Sequence, residues 1–203
     1  MGDYANNTLV YGEYTHPFIL ERNQVIEIIL SNQDTGSHLF HLHGHNFQVV
    51  SHTPSYGASF YDFADGDPVA YNATENPPSS FPTYPARRDT LVALPQGSFV
   101  IRFVADNPGV WLFHCHIDWH LSQDLAMTMV EAPKDLQAQM SLTNAEINVC
   151  KAADVDYEGN AVPNSENMLD LTGQNKQLDW LPAGFTAKTI VIPFVDSEQE
   201  GKA

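Results

Sequence analysis

The sequence predicts an all-β sandwich of Greek-key type with a short helical and irregular C-terminal extension, and three observations predict it. Runs rich in Val, Ile, Leu and Phe alternate at a period of two, the spacing of a half-buried strand. Clusters of Asn, Asp, Pro and Gly punctuate those runs. Helical periodicity is almost absent before Pro133, so the apolar faces of sheets must bury one another.

In chain order, residues 1–16 are polar and read as a lead-in, and residues 17–132 as one sandwich domain. Residues 18–20 and 24–31 are strand-like, the second with Ile26, Ile28 and Leu30 on one face. The turn Asn32-Gln33-Asp34-Thr35-Gly36 delivers the chain into a histidine-rich segment, and residues 46–52 form the strand that leaves it. Residues 53–85 shift to Pro, Ser, Tyr, Asp and Asn and read as a long surface loop. Residues 88–94 and 97–105 read as paired strands, the second with Phe99, Ile101 and Phe103 facing inward. Asp106-Asn107-Pro108-Gly109 is a strong turn signal, Trp111 to His116 is extended, and residues 125–131 close the sheet. Residues 133–203 are the extension. Residues 134–140 and 144–149 are short helices, with Thr143 as N-cap and Glu146 completing a capping box. Residues 151–177 are polar and read as a tail along the surface.

A chain of 203 residues with 43% hydrophobic content supports one domain with a sizeable core. A formal charge of −16 argues against nucleic acid as a partner and favours cations; it also serves solubility alone. No run of ~18 apolar residues is present, so no membrane span is expected. Met1-Gly2-Asp3-Tyr4 lacks signal-peptide character and reads as an artificial or trimmed start, and the chain as a fragment. Asn6-Asn7-Thr8 and Asn72-Ala73-Thr74 fit glycosylation acceptors.

Chemistry concentrates in two segments, His38-Leu39-Phe40-His41-Leu42-His43-Gly44-His45 and Phe113-His114-Cys115-His116-Ile117-Asp118-Trp119-His120. In an extended strand Cys115 points one way while His114 and His116 point the other, so one strand touches two metal sites. His41 and His43 share a face, which suits neighbouring metals or a cluster. A trigonal set of His38, Cys115 and His120, with only Leu125 in the axial direction, is the donor set of a blue-copper electron-transfer centre. A lone histidine on an apolar strand is usually just packed and hydrogen-bonded, but seven residues in two complementary clusters form a pattern of their own. A cysteine hydrolase built on Cys115 is remote, because strand neighbours point away from each other. With Cys115 used as a ligand, Cys150 is left without a mate in the chain, which reads either as a missing partner or as a buried free thiol.

On these residues the chain resembles the multicopper oxidases: laccases, ascorbate oxidases and ferroxidases. The runs Tyr84-Pro85-Ala86-Arg87-Arg88-Asp89-Thr90, Phe103 to Trp111, and Leu181-Pro182-Ala183-Gly184-Phe185-Thr186 resemble in particular the fungal iron-transport ferroxidases. The resemblance implies a cupredoxin (plastocyanin-like) domain, the C-terminal one of its enzyme. It implies copper at His38, Cys115 and His120 (type 1, with Leu125 axial and non-bonding), at His41 (type 2), and at His43, His114 and His116 (type 3). His45 matches a family histidine that does not bind copper. The family's trinuclear cluster uses eight histidines and this chain offers four of them, so the resemblance implies N-terminal cupredoxin domains as partners, with no O2 reduction without them.

Further roles follow from the same resemblance. Cys150 resembles a cysteine disulfide-bonded to another cupredoxin domain. Asp118 resembles an acid that helps deliver protons, with a loop-capping acid as the alternative. Asp34 matches an acid that helps bind Fe(II) and pass its electron; an Asp bonding its own turn is the alternative there. A phenol-oxidising laccase and a stand-alone blue-copper carrier are the rival functions. The family setting implies an extracellular or cell-surface protein. Two positions depart from the family's pattern: Leu39 stands where proline is usual, and Asp124 where glycine is usual.

Overall fold

The structure is a computed structural model that describes residues 2–53 and 71–174. The predicted loop at 53–85 therefore lies partly, and the run from Leu181 to Thr186 wholly, outside the described residues.

Among the described residues, nine strands form two sheets. They are β1 (Pro17–Leu20), β2 (Val25–Ser31), β3 (His38–Leu42), β4 (Phe47–Thr53), β5 (Ala86–Arg88), β6 (Thr90–Ala93), β7 (Ser98–Val104), β8 (Gly109–Cys115) and β9 (Ala126–Glu131). One sheet has the order β1-β9-β8-β3-β6 and the other β2-β7-β4-β5. Neighbours are antiparallel except β1, which runs parallel to β9. The strand alternation is visible in burial: along β2, Ile26, Ile28 and Leu30 are buried while Glu27 and Ile29 are partly covered. The sheets meet through aromatic rings. Phe40 of β3 stacks on Phe113 of β8 with centroids 5.2 Å apart, and meets Phe99 of β7 in the facing sheet edge-on at 6.1 Å. Phe47, Ile101, Met127 and Met129 complete this core.

Two expectations need correction. The strand predicted at 88–94 is two strands, β5 and β6, in different sheets, separated by Asp89. Nor are β6 and β7 paired: β6 adds to β3, whereas β7 lies between β2 and β4. The connection crosses from one sheet to the other, and Asn32 holds it: its side chain donates to the carbonyls of Gly36 and Leu94, and its backbone N–H donates to Gly97. Apolar alternation runs through such a corner unchanged, so the pattern shows the strand and conceals the switch of sheets.

The first residues, read as a polar lead-in, form three 3-10 turns at Gly2–Asn6, Thr8–Tyr11 and Glu13–Thr15, with Ala5 and Val10 fully buried. Two helices follow the sandwich, α2 (Pro133–Gln139) and α3 (Asn144–Ala152), after the short α1 (Asp118–Leu121) inside it. Thr143 caps α3 and Glu146 closes the capping box, as its sequence predicts. Residues 153–174, beyond α3, are irregular and gather around Asn160, whose side chain bonds Asn164, Met168 and Asp170 backbone. Among the described residues no helix is long and apolar enough to cross a membrane.

Phe99 closes the seam between the sheets and is fully buried. Phe99→Ala is expected to cost ~3–5 kcal/mol of stability, read as a shift of the urea midpoint with an unchanged slope.

Candidate metal centre

The centre is set by the register of β3 against β8, which pairs Phe40 with Cys115 and His41 with His114. Partners in an antiparallel ladder share a face. Phe40 and Cys115 therefore point into the core, and His41 and His114 point to the opposite face of the sheet.

On the core side, β3 opens with His38, β8 ends with Cys115, and the chain then turns through α1. Ile117 O accepts the backbone N–H of His120 and of Leu121, which brings the His120 ring back over the sulfur. His120 Nδ1 lies 3.4 Å and His38 Nδ1 3.8 Å from Cys115 Sγ, and the two rings stack at 4.6 Å between centroids. The three donor atoms all lie within 4.8 Å of one another. Cys115 is fully buried and His38 nearly so. Leu125 packs beside them and offers no donor.

His38 Nε2 donates to Asp34 Oδ2 at 2.9 Å, which leaves Nδ1 with its lone pair toward the sulfur. Partial burial raises the Asp34 carboxyl, but the hydrogen bond from His38, the Thr35 N–H, the charge of His38 and the Gly36 N–H outweigh it and hold it below the ordinary range. Burial, then the charge of His38, lowers His120 against the opposing pull of Asp34. Burial raises the Cys115 thiol, opposed by the nearby backbone N–H groups of Ile117 and Leu39. Two neutral imidazoles and a thiol that ionises on metal binding form a soft, trigonal donor set, and that set fits copper.

On the outer face four imidazoles gather. Ring centroids are 4.6 Å apart for His41 and His43, 5.2 Å for His43 and His114, and 5.4 Å for His114 and His116. His41 Nδ1 donates to Asp89 O at 2.9 Å and His114 Nδ1 to Cys115 O at 3.0 Å, so both keep Nε2 for a metal. His114 Nε2 is 3.1 Å from His43 Nε2. Burial and the charges of His41, His114 and His116 lower His43, which favours its neutral, ligating form. His43 and His116 are exposed, so this half of the arrangement opens to the outside.

The remaining sequence-predicted residues take distinct places. Asp118 is exposed in the first turn of α1, two residues from His116 and from His120. Cys150 is partly buried on α3, and both cysteines are unpaired. Asp124, where glycine is usual, has φ +63°, a left-handed conformation that Asp tolerates better than most residues. His45 is buried, away from the other imidazoles, and bonds Glu131 Oε2 at 2.7 Å. The sequence reading missed Glu131. It is fully buried, and it also accepts the Asn107 backbone N–H at 2.5 Å. The available signal was an acid on the inward register of β9, in step with Met127 and Met129.

A sandwich of this kind with a Cys–His–His set inside and gathered histidines outside has the donors of a copper-binding domain, and comparison with known proteins gives its family. The family model for multicopper oxidases matches residues 1–135, and the chain belongs to that family. It is 49% identical over 193 residues to the iron transport multicopper oxidase FET3 of Saccharomyces cerevisiae, covering 94% of this chain and 29% of that protein. It is 47% identical over 190 residues to the iron transport multicopper oxidase fetC of Epichloe festucae, again covering 94% and 29%. Among solved structures it matches Fet3p, a multicopper oxidase that functions in iron import, with TM-score 0.74 and 48% identity over 87% of this chain and 32% of that one. It also matches the laccase of Botrytis aclada with TM-score 0.52 and 30% identity over 73% and 24%. The chain thus spans less than a third of the length of these relatives.

The Asp34–His38 contact carries a pH signature. A carboxyl whose folded pKa is depressed contributes stability that is complete above its unfolded value of ~3.9 and is lost as pH falls through the folded value. Metal-free wild type should therefore lose stability below about pH 4 more steeply than Asp34→Asn, measured by urea unfolding across that range. Cys115→Ser should abolish the intense thiolate-to-Cu(II) absorption on copper addition, read by visible spectroscopy.

Proposed function

We propose that this chain is the C-terminal cupredoxin domain of an oxidase that takes electrons singly from Fe(II) and delivers them to O2. One observation carries the reading: Asp34, a carboxylate open to solvent, is hydrogen-bonded to the far nitrogen of a ring whose near nitrogen faces Cys115. His38, Cys115 and His120 would hold type 1 copper. His41 would hold type 2 copper, and His43, His114 and His116 the type 3 pair. Copper there supplies one-electron oxidation at the first site and four-electron O2 reduction at the second.

The residues divide the remaining work. Asp34 binds Fe(II) through hard carboxylate oxygen, which favours Fe(III) and makes the iron easier to oxidise. Its hydrogen bond orients His38 and joins substrate to ligand through one contact. Cys115, whose sequence neighbours are His114 and His116, is the covalent path between the two sites. Asp118 moves protons toward the outer face. N-terminal cupredoxin domains of the same enzyme supply the other four histidines against His41, His43, His114 and His116, and Cys150 forms a disulfide with one of them. The protein works outside the cell or at its surface, with Fe(II) and O2 as its small-molecule partners.

A laccase-type reading keeps the same copper sites and puts a phenol beside His120, where Trp119 lies exposed with its ring 3.8 Å from the His120 ring. A stand-alone blue-copper carrier accounts for the buried trio but leaves four gathered imidazoles without a task. In the copper-loaded full-length oxidase, Asp34→Ala is expected to lower kcat/KM for Fe(II) by ~10-fold or more and to spare phenol oxidation. Equal loss on both substrates would favour the laccase reading, and no O2 uptake with any N-terminal partner would favour the carrier.

A further inference from the structure

Glu131 ends β9, is fully buried, and belongs to neither group of donors. Its two oxygens hold two different stretches of chain. Oε2 accepts from His45 Nε2 at 2.7 Å, and Oε1 accepts the backbone N–H of Asn107. Asn107 in turn donates from Nδ2 to Gly44 O at 3.0 Å. The contacts therefore close into a circuit, from Glu131 to Asn107, from Asn107 to Gly44, and from the next residue, His45, back to Glu131. The His45 ring packs against Phe103, with centroids 4.8 Å apart, and meets Trp111 edge-on at 6.3 Å. Its other nitrogen is 4.0 Å from Asp106 Oδ1, too far for a second hydrogen bond, so Glu131 is what holds it.

The residue that depends on this circuit is His43. Of the four outer imidazoles, His41 and His114 are each oriented by a backbone carbonyl, at 2.9 and 3.0 Å. His43 lies just past the end of β3 and is exposed, and its ring has no such carbonyl among the described residues; its polar neighbour is His114 Nε2, 3.1 Å from its own Nε2. The ring therefore goes where its backbone puts it. On one side the His43 N–H donates to Leu112 O at 2.9 Å. On the other comes Gly44, left-handed at φ +75° and pressed on Trp111, with its carbonyl and the following imidazole both in the Glu131 circuit. We propose that Glu131 is a positioning residue for His43, fixing that imidazole within the outer group through the Gly44 turn. The inference rests on the reading that His43 holds copper. A ligand ordered by folding does not have to be ordered when the metal binds, so a clamp on its backbone raises metal affinity although it touches no donor atom.

The test is chelator competition on the copper-loaded full-length oxidase, with bound copper counted by metal analysis and the inner copper followed separately by its thiolate absorption. Glu131→Met keeps the length of the side chain and removes both carboxylate oxygens. It is expected to lower copper affinity at the outer face ~10–100-fold, the usual effect of losing a residue that orients a ligand, and to leave the thiolate copper held as in wild type. Unchanged outer affinity overturns the proposal. An equal loss at both sites also overturns it, because Glu131 would then support the whole sandwich and not His43 in particular. Should Glu131→Met fail to fold, Asn107→Ala decides: it cuts the link to Gly44 O and leaves both Glu131 contacts in place, since Asn107 reaches Glu131 through its backbone. Loss confined to the outer face then supports the proposal, and any other pattern overturns it. A wild type that holds the thiolate copper and none at the outer face defeats the reading of His43 as a ligand, a result separate from all of these.

Discussion

Everything in this molecule depends on how one strand is shared between two surfaces. β8 is held from both sides by antiparallel neighbours, β3 and β9, so its pleat cannot rotate. With the pleat fixed, Cys115 must face the core and His114 must face away. A slip of one residue would turn the thiol out to solvent and bury an imidazole against Phe40 and Phe99. The aromatic seam that stabilises the sandwich is thus also what places the sulfur, and Phe40 does both: it fills the core and stands opposite Cys115 in the ladder. Stability and site geometry share the same contacts.

A second constraint fixes the point where β3 ends and His43 begins. Gly44 has φ +75°, and a Cβ there would meet the Trp111 ring at 2.4 Å. A Cβ on Gly109 would meet the same ring at 2.5 Å, and Trp111 donates from Nε1 to Asn107 O at 2.8 Å. Asn107 in turn donates its side-chain N–H to Gly44 O, while its backbone N–H and the His45 ring both donate to the buried Glu131. An acid at this depth is tolerable because both its oxygens are satisfied; with one partner removed, a buried charge would be left uncompensated, at a cost of ~3–5 kcal/mol. The network ties β9, the turn before β8 and the segment after His43 into one body, and so fixes the origin of the chain on both sides of the imidazole cluster.

Much of this is legible in the sequence, for identifiable reasons. Ligands within a few residues of one another are bound by strand geometry alone, so the alternation at His114, Cys115 and His116 could be read off directly. The capping box at Thr143 and Glu146 is local in the same sense. What the sequence conceals is long-range: Glu131 and His45 are 86 positions apart, and neither has a local pattern that announces its partner. The division of residues 86–93 between sheets escaped for a related reason, since the hydrophobic period does not change when a strand passes a corner. The Asp34 turn was visible, yet the contact that gives it meaning needs the coordinates of His38.

The two groups of donors also differ in how much of their surroundings this chain supplies. Cys115 is buried in the core, His38 is held by the Asp34 turn, and His120 is brought over the sulfur by α1, so the spacing of the three belongs to the domain itself. The outer imidazoles have one wall only. His41 and His114 are oriented by backbone carbonyls, but His43 and His116 are exposed and gain no such restraint from the described residues. Imidazoles this close repel one another when protonated, and in the neutral state they still need a metal or an opposing surface to hold them in register. An enclosed set of three soft donors on one face and an open group of imidazoles on the other suit the terminal-domain role proposed above: the first has its geometry within this chain, while the second would gain its own only where another surface closes over it.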